Sequence, residues 1–435
     1  MSGATRAARL FAADANVAWR RDSCLENQRR PEKSVSMIRP IAIAAIGIML
    51  QNPCRAQTIA FDSAINNPDK VAWELFALVN RPVANINGVQ FETWASNEDT
   101  FQTNPKFPGT AGSPDCGVPV VAARQLGAPQ IQEVVTPTVS PKILNIPALV
   151  ALAPRPRGAQ PHVVRALPNE QASEEARRNK ATFDFIVCNK LHTRAGLRAA
   201  FASGQTISFP IGAIEVKANW VPAGNKSPSE FYINMASDNN RYALVSMHIT
   251  SKQIPNWTWA TFEHKDNLGR CEYTGCHDNF GAMVKDVAPQ PQLGGRYDSC
   301  VKTAALKSMF ADAGLPALWE NYCLKGSQVD FVTATGLPTI LGNSITEGNF
   351  DDTSSCMTCH ARAAVNLSGQ QTTTAGFIDA ASNPAACPGG TQRPCSPNGM
   401  PKPSWFWRNP GDTTRSLLAL QTDFVWSIAR HAIGP

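Results

Sequence analysis

Most of the chain lacks an excess of charge of either sign. Residues 1 to 56 hold nine Lys/Arg against four Asp/Glu, and the rest of the 435 residues hold 31 against 30, so the formal net charge of +6 is essentially N-terminal. No run of interleaved basic and aromatic residues follows, which removes the electrostatic footprint of a nucleic-acid binder. No apolar run reaches the roughly 20 residues that a membrane-spanning helix needs. There is no internal repeat and no G-x-S-x-G, phosphate loop or G-x-G-x-x-G, so the common hydrolase and nucleotide-binding signatures are missing. At 43% apolar and 17% charged, the chain is also too hydrophobic for disorder and long enough for two or three packed domains.

What is present begins with an export signal. Met37-Ile38-Arg39-Pro40 precedes an uncharged apolar run from Ile41 to Leu50, and Gln51 to Ala56 follows with a small residue at its end. A basic residue, an h-region of about ten residues and a small residue at the cut are the parts of a secretory signal, with cleavage expected after Ala56. The residues before Cys54 do not resemble a lipoprotein box. Residues 1 to 36 place six Arg, one Lys and four acids upstream, which a working signal does not need, so translation is expected to start at Met37. A periplasmic or secreted protein follows, without stable membrane insertion once the signal is removed.

Twelve cysteines suit an oxidising compartment. Ten lie after Ala56. If Cys356 and Cys359 serve another purpose, eight remain, and proximity suggests Cys271 with Cys276, Cys300 with Cys323 and Cys387 with Cys395, leaving Cys116 for Cys188. Eight cysteines allow 105 pairings, so the even count is the firmer observation.

Apolar spacing predicts helices over Asp69 to Asn80, Ala195 to Ser203 and Val301 to Ala313. Ile207 to Trp220, Tyr242 to Thr250 and Trp257 to Glu263 are rich in β-branched and aromatic residues and read as strands of one sheet. Residues 104 to 170, rich in Pro, Gly and Ala, read as loops. A polar stretch from Asn343 to Ser355 marks a change of character. The expected architecture is α+β, with residues 57–335 a mixed sheet-containing region and residues 336–435 a mainly α-helical, cytochrome c-like haem segment.

The chemistry concentrates in Cys356-Met357-Thr358-Cys359-His360. Two thiols three residues apart can add to the two vinyl groups of one haem, and the next His is then held beneath the iron as proximal ligand. A redox C-x-x-C would want a strand before it and a helix after it, and zinc would want a second matching pair. The segment resembles the haem-attachment motif of c-type cytochromes. Residues 214–220 (IEVKANW), 257–267 (WTWATFEHKDN) and 342–363 (GNSITEGNFDDTSSCMTCHARA) look like those of a bacterial family of large single-haem cytochrome-like proteins. The likeness covers most of residues 68 to 430. It implies a periplasmic haem protein, and the family carries no settled reaction. The chain departs from small class I cytochromes in lacking the usual N-terminal helix before Cys356 and in having two further cysteines downstream.

The group in the sixth iron position decides what the iron can do. Met400, on a Pro-flanked loop 40 residues after His360, is the first candidate for distal ligand. His431 is the next, on a closing helix expected over Thr413 to Ala432, whose Phe424 and Trp426 could cover the haem. His264, His277, Met247 and His248 are further candidates, as is an open site. Trp405 and Trp426, with Trp257, Trp259 and Trp407, read as core and haem-pocket lining.

A second cluster holds His264, Cys271, Cys276 and His277, and Cys271 to His277 has the form C-x4-C-H. It reads as a disulfide-closed loop, a second haem site with His277 as ligand, or a zinc site. Glu263 and Asp278 could orient these histidines or could be solvated loop charges. Cys188-x3-His192 has the wrong spacing for haem. The preferred functional expectation is a periplasmic cytochrome with one covalent haem c, passing electrons to or from an unidentified redox partner protein. The alternative is a haem oxidoreductase such as a peroxidase, in which the strands at 207 to 263 supply pocket walls.

Overall fold

Alternation in the middle of the chain builds one antiparallel sheet, and everything bearing on the motif is positioned by it. The computed structural model describes residues 61–435 except 85, 111–113, 115, 117–172, 291–293, 349, 373–397 and 412–415. The expected signal segment, Cys387, Cys395 and most of the stretch 104 to 170 lie outside the described residues.

The described residues open with α1 (Phe61–Asn66), α2 (Pro68–Val79) and the short α3 (Asn97–Thr100). After β1 (Ser173–Arg178) come α4 (Lys180–Cys188) and α5 (Arg194–Ser203). Strands β2 (Ile214–Pro222), β3 (Ile233–Met235), β4 (Arg241–Ser251) and β5 (Thr258–His264) follow, then the two-residue pair β6 (Cys276–His277) and β7 (Asp286–Val287). The sheet is completed, beyond α6 (Ala304–Asp312), by β8 (Tyr322–Gln328). Local chemistry starts these helices: Pro68 is pre-set for a first turn, and Ser96, Asn179, Thr193 and Thr303 each accept a backbone N–H as N-cap.

The sheet runs β1-β2-β4-β5-β8, with β3 paired to one end of β4, and every pairing is antiparallel. Its two faces differ in kind. One carries Val216, Ala218, Trp220, Leu244, Met247, Ile249, Ala260, Phe262 and Leu324, and packs against Trp73 and Phe76 of α2 and Phe310 of α6 in the largest apolar cluster. The register puts three polar rows on the other: Arg178–Glu215–Thr250–Trp259–Gln328, then Lys217–His248–Thr261, then Glu174–Asn219–Ser246–Glu263. A face of that kind has to be covered by groups that can hydrogen-bond to it.

The cover comes from the segment after residue 335, and here the expected fold class is corrected. That segment is not mainly helical. Among its described residues, the only α-helices are α7 (Cys356–His360) and α8 (Trp426–His431), with a single 3-10 turn at Pro403–Trp405. Short strands lie between them: β9 (Ala364–Val365), β10 (Trp407–Arg408), β11 (Ser416–Leu417) and β12 (Leu420–Gln421), paired β9 with β12 and β10 with β11. The helix expected over Thr413 to Ala432 begins only at Trp426, because Leu417 and Leu420 are spent on strand pairs and Asp423 and Phe424 both take positive φ. Gln57–Pro435 form one compact unit. The second apolar cluster joins Phe185, Leu197, Phe209 and Trp257 to Met357, Val365, Phe424 and Ile428.

Disulfides Cys271–Cys276 and Cys300–Cys323, which sequence proximity suggests, and Cys116–Cys188, which it leaves as the remaining pair, fasten the sheet's periphery. Phe262, fully buried with its ring 4.9 Å from Trp73 and 4.5 Å from Phe76, is the keystone of the apolar face. Phe262→Ala is expected to cost about 3 to 5 kcal/mol in urea denaturation, the range for emptying a tightly packed aromatic site.

Candidate functional site

The motif forms a helix of its own at the edge of the polar face. Ser355 caps α7 by accepting from Thr358 N–H, and Gln328 of β8 donates to Ser355 Oγ (2.9 Å) and accepts from Met357 N–H (3.1 Å). At about 100° per residue, Cys356, Cys359 and His360 share one face of α7 and Thr358 lies opposite. Cys356 and Cys359 are buried and remain thiols, whereas the six other cysteines in described positions are bridged. Burial, reinforced by Glu347 and Cys359, pushes the Cys356 thiol well above its ordinary range, and the thiol donates to the Leu341 carbonyl at 3.3 Å. A thioredoxin-type attacking cysteine needs the opposite shift, so the arrangement disfavours a redox C-x-x-C.

His360 is set as a ligand would be. Its Nδ1 lies 3.0 Å from the Phe424 carbonyl oxygen, which can only accept, so Nδ1 carries the proton and Nε2 keeps its lone pair. Trp259 packs 4.6 Å from the imidazole. Burial and, next, the charge of Lys217 hold His360 down at about 3, so the ring is neutral at physiological pH.

The carbonyl that orients His360 is itself held under strain. Asp423 and Phe424 have φ of +49° and +69°, a conformation side chains other than glycine seldom adopt. Asp423 is fixed by Lys252 Nζ at 2.7 Å, both side chains almost wholly buried, and by Phe209 N–H at 2.7 Å. Lys252 also donates to the Pro255 carbonyl at 2.7 Å. A buried ion pair from the end of β4 thus sets the backbone that sets the imidazole. Sequence reading named Phe424 only as a possible cover for the haem. From sequence Trp259 reads as core and haem-pocket lining, and no local pattern marks Asp423 or Lys252.

The donor set fits a covalent haem: two thiols on one helix face, and an imidazole whose outer nitrogen is tied to a carbonyl. The other candidates fall differently. Trp426 packs in the cluster that contains Cys356 and Cys359, but Trp405 packs against a separate small cluster with Phe406 and Ala419, with Arg362 (4.4 Å) and Lys402 (5.5 Å) over its ring. Met400 is 59% exposed. Its loop is fastened by Thr358 Oγ1 donating to the Gly399 carbonyl (2.8 Å), which is the face of α7 opposite the cysteines and His360. His431 turns to Asn97 (3.3 Å) and Phe101, and Met247 points into the apolar core.

The second cluster resolves into a structural loop. Cys271 and Cys276 are bridged, which spends the two thiols that a second haem or a zinc ion requires. No three His, Cys, Asp or Glu side chains are placed to hold a metal ion among the described residues. His264 is buried, stacks 3.7 Å from Phe231 and donates from Nε2 to the Glu230 carbonyl. His277 is half exposed and is held by Asp286 and Asn279 rather than by Asp278. Asp278 accepts from Trp73 Nε1 and two backbone N–H groups, and Glu263 accepts from Ser344 and Asn267.

Asp423→Asn is expected to cost about 3 to 5 kcal/mol in chemical denaturation by stranding Lys252, and adding Lys252→Met should recover most of it. Burial holds His264 at about 4, below its unfolded value near 6.5. The unfolded chain therefore takes up that proton first, and stability is lost as pH falls from about 6.5 towards 4. Urea midpoints across that window should fall less for His264→Gln than for the natural sequence. Comparison of the chain with protein-family models, with curated proteins and with solved structures finds no match to any of them.

Proposed function

We propose that the chain is an exported c-type cytochrome that binds one haem c through thioethers to Cys356 and Cys359, with His360 as proximal ligand, and transfers electrons. One observation carries this reading. On α7, two thiols lie on the same helix face as an imidazole whose Nδ1–H is tied to the Phe424 carbonyl, leaving Nε2 to bind a metal. Bound haem would supply an iron that cycles between ferric and ferrous. The chain's own residues would do the rest: Phe424 fixes the imidazole, Trp259 packs its face, and the second apolar cluster excludes water from the thiol side. Three disulfides support export to an oxidising compartment, in keeping with the signal-like segment at 37 to 56. No helix among the described residues is long and apolar enough to cross a membrane.

A second reading, a haem oxidoreductase such as a peroxidase, is favoured by a different observation. His248 of the middle polar row has Glu347 of the covering segment 3.6 Å from its Nε2, a His–carboxylate pair that electron carriage alone does not need.

The test is a pyridine haemochrome spectrum with haem-to-protein stoichiometry, on protein made in a periplasm that has the haem-attachment machinery. One haem per chain is expected, lost in Cys356→Ala/Cys359→Ala. Absence of covalent haem from the natural sequence would overturn the cytochrome reading.

A further inference from the structure

The Cys271–Cys276 bridge has a neighbour that closing a loop does not call for. Arg270 Nη1 lies 3.3 Å from Cys271 Sγ and 3.4 Å from Cys276 Sγ. The arginine is buried, and among the described residues it forms no ion pair. Its Nη2 donates to the Asp298 carbonyl at 2.9 Å, the Tyr297 ring centroid lies 6.0 Å from the guanidinium carbon, and Nε has no hydrogen-bond partner among the described residues. Glu263, a carboxylate whose charge reaches it, is committed to Ser344 and Asn267. A charge buried without a counter-charge costs free energy, and a bridged sulfur, neutral and a weak acceptor, offsets little of it.

Reduction of the bridge changes that balance. A Cys271 thiolate would stand against Arg270 Nη1 and supply the missing counter-charge. The Arg270 carbonyl oxygen lies 3.6 Å from Cys276 Sγ, within reach of the S–H that only the reduced form has. Both sulfurs thus have partners for the dithiol form already in place. A disulfide whose reduced form is stabilised in this way is the more readily opened by other thiols.

We propose that Cys271–Cys276 is a thiol–disulfide exchange site for small thiols, with Arg270 as the positioning residue that holds the leaving sulfur as a thiolate. Cys276 keeps 7% of its surface exposed and Cys271 none, so a small thiolate attacks Cys276 Sγ, where a protein thiol is too bulky to reach. A bond forms between the attacking sulfur and Cys276 as the Cys271–Cys276 bond breaks, and the electron pair leaves on Cys271 against the guanidinium. A second small thiolate then attacks the outer sulfur of the mixed disulfide. Cys276 leaves with its electron pair and takes a proton from water. In sum, two thiols are oxidised to one disulfide and the protein's bridge is reduced by two electrons. No step involves haem, so the proposal stands apart from the cytochrome reading.

The test uses the exported full chain, natural and Arg270→Met, equilibrated in glutathione buffers of graded composition. Free thiols are alkylated and measured by mass spectrometry at each cysteine separately. In the natural protein Cys271 and Cys276 are expected to open together within the range of the buffers, which a structural bridge resists. Arg270→Met should need about tenfold more reducing conditions or beyond to reach the same half-open point, about 30 mV for each tenfold, while Cys116–Cys188 keeps its own midpoint. Cys271→Ser treated with oxidised glutathione should carry the adduct on Cys276. Should Arg270→Met not accumulate, the opening of the natural bridge and the Cys276 adduct carry the test. A bridge that stays closed across the buffers, an Arg270→Met midpoint that is unchanged or moves only together with that of Cys116–Cys188, or no adduct on Cys276 would overturn the proposal.

Discussion

The buried polar face of the sheet is the constraint on which the rest of the structure depends. An antiparallel sheet can leave one face to water, but here both are covered, and the second carries Glu215, Lys217, Asn219, Ser246, His248, Thr261 and Glu263. Burying such groups unpaired would cost several kcal/mol, so the covering chain has to supply partners one by one. Asn343, Ser344 and Thr346 do so with side chains and backbone N–H groups, and Gln328 reaches out of the first row to the cap of α7. A regular helix satisfies its own backbone and offers few loose donors. An irregular segment is the better lid for this face, which is a physical reason for the scarcity of helix after residue 335.

The same face explains how the motif is held. α7 is only five residues long and is too short to be stable alone. Its position comes from Ser355 and Gln328 at one end and from the Phe424 carbonyl at the other. That carbonyl is reached only because two consecutive residues accept a left-handed conformation, and the buried Lys252–Asp423 pair is what makes the conformation tolerable. Orientation of one imidazole is thereby referred back to the end of β4, a rigid part of the sheet. Sites supported in this way hold their geometry better than sites carried on a free loop.

Legibility in the sequence followed locality. Cys356, Cys359 and His360 stand out in the sequence because they lie within five adjacent residues, and the structure puts them on one face of α7. Helices α2, α5 and α6 and strands β4 and β5 were legible because their apolar spacing is strong. Strand β1, SEEARR, was not. Its stability is lateral, with Glu175 accepting from Trp220 and Arg177, and Arg178 reaching Ser96, Thr100 and Asn97, so no alternation of hydrophobicity announces it. The closing helix was overread because Leu417, Leu420, Phe424 and Ile428 have helical spacing, while the positive φ at Asp423 and Phe424 depends on Lys252, 171 residues away. His248 was legible only as one histidine among several. Its side-chain contacts, Thr346 at 3.2 Å and Glu347 at 3.6 Å, come from a segment about 100 residues away.

Stability alone does not account for the middle row. Replacing a buried or half-buried charged cluster by well-packed apolar residues of similar size is often neutral or stabilising by about 1 to 4 kcal/mol. Lys217, His248 and Glu347 would therefore be costly ornaments in a protein that needed only a lid on its sheet. The third row shows what a purely structural solution looks like here: Glu263 and Asn219 are each satisfied by two or more hydrogen bonds. The His248–Glu347 contact is longer, at 3.6 Å, and partly exposed. The sheet and the helices on its apolar face make up most of the described residues, and α7 is positioned by them through Gln328 of β8.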